Sequence, residues 1–183
     1  GGGLGVAGQN PQATFGVNLP KVAIALGEIS SKLKSMSPSP VQLHMEPGRY
    51  LVSEGGVLVT NVTQIRQKRN HRFVGVATGM NSLIRPALYE AWHDIVNISH
   101  AKKTELGLGP HDNYYGDNIK LMTSHVVGPI CETADVLGHS RDLPEKTNVG
   151  DVILVANAGA YGFVMGSRYN MRDPVSEVFV QRQ

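Results

Sequence analysis

The chain has 183 residues, 41% of them hydrophobic and 17% charged, which is enough apolar material for one substantial core and excludes global disorder. The formal charge is only +2 and the lysines and arginines are scattered, so no nucleic-acid surface is indicated, and no apolar run approaches the ~18 residues of a membrane span. A single cysteine, Cys131, cannot form an internal disulfide, and a reducing, cytoplasmic setting is expected.

The chain opens on GGGLGVAG, in which Gly3, Gly5 and Gly8 match G-x-G-x-x-G, although no strand leads into them. Alone, the stretch is accounted for as well by a flexible linker remnant as by a site. Asn18 then caps a predicted helix with Pro20 in its first turn and Val22, Leu26, Ile29 and Leu33 at helical spacing; SPSP (37–40) stops it. Val41, Leu43 and Met45 alternate with Gln42 and His44 as in a half-buried strand, which ends in EPGR (46–49). From Val57 onward the texture is of short β-rich runs: VLVTNVTQI, RFVGVA, DIVNIS, IKLMTSHVVGPI, DVILVANA and EVFV. Ser82 to His93 looks helical, and residues 100–118 form a long polar loop.

EPGR places a carboxylate, a tight turn and a guanidinium at the end of a predicted strand. If that strand closes a βα barrel, EPGR and the glycine loop lie on the face where such barrels hold phosphate, because glycines let the backbone approach the anion. By residue type alone, EPGR is equally an ordinary turn, Arg85 a surface residue, Tyr89 a packing ring and Cys131 a small buried hydrophobe. The seven histidines show no metal-ligand spacing, and Trp92, Tyr114 and Tyr115 read as packing or loop anchors.

Taken in order, GGGLG, EPGR, GMNSLIRPALYEAWH, GPICETADVLG and ANAGAYGF resemble the second half of the diaminopimelate decarboxylases, a pyridoxal-phosphate family of lysine synthesis. The resemblance spans essentially the whole chain, with residues 100–118 the least similar; RPALY and GPICE are its specific motifs. It implies an α+β, mostly β fold: the end of a βα (TIM-type) barrel in residues 1–50, then a β-rich, barrel-like domain in residues 51–183. It also implies a homodimer with shared active sites and a small-molecule substrate.

The same resemblance assigns the residues. Glu46 would keep the pyridine nitrogen of pyridoxal phosphate protonated, so that the ring accepts the electrons left by decarboxylation. Backbone N–H groups of Gly1, Gly2 and Gly3, the Gly48–Arg49 turn and the Tyr161 hydroxyl would hold the phosphate. Arg49 is also placed near the substrate carboxylate, and both roles stay open. Arg85 would grip the distal carboxylate, with Tyr89 as a hydrogen-bonding wall, and Glu132 would pair with the distal ammonium. Cys131 would reach into the partner's site as proton donor.

One departure is equally informative. The family anchors its cofactor on a lysine of an early barrel strand, with a histidine that stacks on the ring, and neither position occurs here. Lys21, Lys32, Lys34, Lys68, Lys102, Lys103, Lys120 and Lys146 all look solvated, and only 46 residues run from Gly1 to Glu46, against ~250 for a complete barrel. The chain is therefore expected to be a C-terminal piece, inactive alone and prone to association through an open barrel edge. A related decarboxylase of the ornithine, arginine or carboxynorspermidine type and a non-catalytic dimerisation module are the alternatives.

Overall fold

A computed structural model describes residues 3–6, 16–102 and 114–181. The first helix, α1 (Leu19–Met36), forms as its caps dictate. The Asn18 side chain accepts the Lys21 N–H at 3.0 Å, Pro20 sits in the first turn where its missing N–H costs nothing, and Ser37 ends the helix in an extended conformation. No residue of α1 is buried; Leu19, Ile24, Ile29 and Leu33 are all exposed. The half-buried strand expected at Val41–Met45 does not form. Residues 41–47 carry no assigned secondary structure, and Leu43 and Met45 are exposed. Alternation alone does not make a strand: the ladder needs a neighbour to take its N–H and C=O groups. A short helix, α2 (Gly48–Val52), follows directly.

The rest of the chain builds one six-stranded sheet from β1 (Leu58–Lys68), β2 (His71–Val76), β3 (Ile95–Asn97), β4 (Leu121–Val127), β5 (Val136–Pro144) and β6 (Val152–Val155). The strand order is β3-β6-β1-β2-β4-β5, with β2 and β4 parallel and every other pair antiparallel. The two end strands curl toward each other: Ile95 Cδ1 of β3 lies 2.7 Å from where a Cβ on Gly138 of β5 would stand. The sheet is thus a nearly closed barrel, as the mostly β reading anticipates, and closure hides the edges an open sheet would expose.

Period-2 alternation fills the interior. Leu58 and Val62 from β1, Val74 and Val76 from β2, Val126, Leu137, Leu143, Ile153 and Val155 form one core, joined by Leu83 from the loop after β2. Arg72 also points inward, and its guanidinium donates to the carbonyls of Pro144, Glu145 and Thr147, tying the end of β5 across the barrel. Tyr115 is buried, as expected of a loop anchor, and its hydroxyl accepts the Asn97 N–H at 2.7 Å.

Three further expectations are corrected. EVFV is not a strand: residues 172–181 lack regular structure, and Val178, Phe179 and Val180 are exposed. The helical run at 82–93 contracts to α3 (Arg85–Tyr89), which Glu90 ends in the left-handed region (φ 53°). Conversely β5, hidden in sequence by Gly138, a left-handed Ser140 (φ 52°) and Pro144, is a full strand that pairs with β4 through two register shifts.

Candidate functional site

A cleft of about 900 Å³ is lined by Gly5, Val6, Arg49, Arg85, Tyr89, Glu90, Ala91, Trp92, Tyr161 and Met165. Besides Gly5 and Val6, its walls come from three pieces of chain, two of them clasped by backbone bonds. The turn after β6 donates twice to the turn after α2: Ala158 N–H to Gly56 C=O at 2.8 Å, and Gly159 N–H to Ser53 C=O at 3.1 Å. That clasp joins α2, which carries Arg49, to the segment that runs on to Tyr161, whose backbone is left-handed (φ 58°). The third piece is α3, with Arg85 at its first position and Tyr89 at its last.

Arg85 is buried, 5% exposed, and Nη1 donates to His93 Nε2 at 3.0 Å. His93 is fully buried, and its Nδ1–H donates to the Ala156 carbonyl at 2.8 Å. Since a carbonyl only accepts, the ring proton sits on Nδ1 and the Nε2 lone pair faces the guanidinium. Burial pushes the His93 pKa down to about 4, and the cations of Arg85 and Arg141 push the same way, against the Ala156 bond. Burial also lowers the pKa of Arg85, followed by the charge of Arg49, while Tyr161 and Tyr89 oppose this; a guanidinium nonetheless keeps its charge at neutral pH. Behind this wall the Arg141 guanidinium lies 3.1 Å from the Trp92 ring centroid, and Trp92 Nε1–H donates to Asp94 at 3.0 Å. Trp92 is therefore a packed anchor, as expected, and also part of the cleft wall.

Not every expected residue converges here. Arg49, Arg85, Tyr89 and Tyr161 line the cleft. Gly3, two residues before the lining Gly5, has open space where a Cβ would stand; Glu46 and Gly48 are exposed and are not among the cleft residues. Gly1 and Gly2 lie outside the described residues. Among the described residues, no lysine lines the cleft and no His, Cys, Asp and Glu cluster could hold a metal.

Cys131 and Glu132 stand apart, exposed in the turn between β4 and β5. Glu132 Oε1 accepts the Thr133 N–H at 2.8 Å, and Oε2 accepts the Tyr169 hydroxyl at 3.3 Å. This turn is held from below by Asp135, 4% exposed, whose two oxygens accept the N–H groups of Met80 and Ile130, both at 2.6 Å. The carboxylate fills the space where side chains on Gly79 and Gly128 would stand, so only glycine fits at either place. Sequence reasoning missed both His93 and Asp135. The signals were present, His93 closing the RPALYEAWH run and Asp135 following GPICE, but one of the two partners of each lies 63 and 55 residues away.

Comparison with known proteins identifies the family and the fold. Residues 49–159 match the family described as pyridoxal-dependent decarboxylase, C-terminal sheet domain. The diaminopimelate decarboxylase of Archaeoglobus fulgidus is 39% identical over 180 residues, covering 98% of this chain and 38% of that protein. A crystal structure of a diaminopimelate decarboxylase superposes with a TM-score of 0.76 at 31% identity, covering 94% of this chain and 39% of that one. The Helicobacter pylori enzyme, solved in complex with L-lysine, gives 0.67 at 31% identity, covering 92% and 35%. The chain thus spans less than two-fifths of the length of these relatives.

Proposed function

Because the chain belongs to the pyridoxal-dependent decarboxylases, as their C-terminal sheet domain, we propose that it is the C-terminal part of a diaminopimelate decarboxylase, which converts meso-2,6-diaminopimelate to L-lysine and carbon dioxide. One observation carries this reading: two guanidinium groups, Arg49 and Arg85, meet at one cleft, where Glu90 is the one lining carboxylate among the described residues and the side chain that accepts from Arg85 is His93. Such a cleft suits ligands bearing several negative groups, and a phosphorylated cofactor with a dicarboxylate substrate meets that description.

The residues fit pyridoxal phosphate: Arg49 offers a cation, Tyr161 a hydroxyl, and Gly3 an unobstructed backbone. When bound, pyridoxal phosphate supplies the electron sink for the pair released with carbon dioxide. In this proposal Gly1, Gly2, Gly3, Gly48, Arg49 and Tyr161 hold the phosphate, and Glu46 keeps the ring nitrogen protonated. Arg49 also stands available to the reacting carboxylate. Arg85 and Tyr89 orient the distal carboxylate, whose two oxygens match the guanidinium fork. Glu132 pairs with the distal ammonium, and the Cys131 thiol donates the proton that replaces the lost carboxyl group. Since Cys131 and Glu132 lie outside the cleft that Arg85 lines, they act across a homodimer in the partner's site. Residues 1–50 complete a βα barrel whose earlier part carries the cofactor lysine, residues 51–183 form the sheet domain, and the enzyme works in the cytoplasm.

The test is carbon dioxide release from meso-diaminopimelate by the intact polypeptide that contains these 183 residues. Turnover is expected, reduced at least ~100-fold in kcat/KM by Arg85→Ala, which removes a bidentate charged contact. The 183-residue chain alone is expected to release none. Turnover of ornithine or arginine in place of diaminopimelate would move the assignment to a related decarboxylase, and appreciable release by the isolated chain would remove the need for an outside lysine.

A further inference from the structure

Arg85 is a buried cation with an unusual support. Buried guanidinium groups ordinarily pair with a carboxylate, because desolvating a charge without one is expensive. Here the side chain that accepts from it is a neutral imidazole, His93 Nε2, at 3.0 Å. A carboxylate in that place would orient the fork but also cancel its charge and compete with any anionic ligand. A neutral ring orients it and leaves the charge for the ligand. The ring itself is not free to turn. It is fully buried, and its Nδ1–H is engaged by the Ala156 carbonyl at 2.8 Å, which fixes both the tautomer and the direction of the Nε2 lone pair.

Ala156 directly follows β6 and leads into the turn that carries Tyr161. The chain of contacts Arg85, His93, Ala156 therefore ties the guanidinium to the same backbone that runs on to the tyrosine in the cleft lining. We propose that His93 is a positioning residue for substrate selection: it aims the Arg85 fork at the distal carboxylate without neutralising it, at a spacing from Tyr161 set by β6. The proposal rests on the reading of the cleft as a diaminopimelate site. It extends that reading to a residue that touches neither substrate nor cofactor.

The experiment uses the intact enzyme and three substitutions. Gln can place a carbonyl oxygen near the Nε2 position, Asn reaches only as far as Nδ1, and Phe supplies neither. His93→Asn and His93→Phe are expected to raise KM for meso-diaminopimelate ~10-fold or more with kcat changed less than ~3-fold, and with the bound-cofactor absorbance unchanged, as loss of one hydrogen bond to a charged group implies. His93→Gln is expected to restore most of that loss. In an Arg85→Ala background the His93 changes should add nothing, because the group they aim is gone. Nitrogen-15 NMR of the unsubstituted enzyme should show a neutral His93 ring protonated at Nδ1.

Equal damage from Gln and Asn, effects that add to Arg85→Ala, or a fall in kcat at constant KM would overturn the positioning role. If the unsubstituted enzyme fails to bind or turn over diaminopimelate, the functional reading has failed instead. The ring tautomer then decides the His93 proposal by itself, since a protonated Nε2 has no lone pair to accept from Arg85.

Discussion

At the scale of single residues, the cleft gathers the charges of Arg49 and Arg85, and the buried one, Arg85, rests on a histidine. His93 shows the cost most directly. Its ring titrates near 6.5 in an unfolded chain and is held to about 4 in the folded one, by burial first and then by the cations of Arg85 on α3 and Arg141 on β5. The sign follows from proton counting. Between these two values the unfolded state binds a proton that the folded state refuses, so stability is intact above about pH 6.5, declines as the pH falls, and stops declining below about pH 4. The loss from this one group is about 3 kcal/mol at the acid end. Urea unfolding between pH 7 and 4 should therefore show a steeper fall for the parent chain than for His93→Gln. The difference should approach one proton in the middle of the window. Equal slopes would mean that His93 titrates as an exposed histidine does.

At the scale of elements, the turn between β4 and β5 matters as much as the strands it joins. Asp135 holds the Ile130 amide of this turn and the Met80 amide of the loop leading to α3, so one carboxylate fastens both the Cys131–Glu132 turn and the approach to Arg85. Asp135→Ala would strand two buried donors and open space beside Gly79 and Gly128. Each lost hydrogen bond to a charged group is worth ~1.5–3 kcal/mol, so a loss of ~3–5 kcal/mol is expected by chemical denaturation. Asp135→Asn keeps one acceptor oxygen and should cost roughly half as much. A loss under ~1 kcal/mol for Asp135→Ala would show that the two loops hold their positions by other means.

These elements also show how far the residues alone could be read. Helix α1 was legible because its signals are local: Asn18, Pro20 and the apolar spacing act within a few residues of one another. So were β1, β2, β4 and β6 as β-rich runs; burial alternates along the start of β1 and along β2, whereas Ile153, Leu154 and Val155 of β6 are all buried. Two other runs mislead for a physical reason: Val41–Met45 alternates and EVFV is β-rich, as strands are, yet a ladder is a property of two segments, and neither run has a partner in the sheet. The error at β5 is the reverse, since its partner β4 imposes pairing on a run with poor strand propensity. In the site, Arg49, Arg85, Tyr89 and Tyr161 came from motifs, while His93 and Asp135 could be valued only once the fold had brought their partners to them.

At the scale of the whole molecule, the barrel-like sheet presents its two sets of chemically distinctive side chains in different places. Arg49, Arg85 and Tyr161 line the cleft, whereas Cys131 and Glu132 stand outside it on an exposed turn. In the homodimer proposed above, each complete site would then draw one set from each subunit. Such an arrangement has a genetic signature. Subunits disabled at Arg85 and subunits disabled at Cys131 would each be inactive as homodimers, yet a mixed dimer would assemble one site with both defects and one with neither. Random reassociation of the two would thus restore about a quarter of the parental activity in a two-fold symmetric pair, and two defective alleles would complement each other in a cell that neither could support alone.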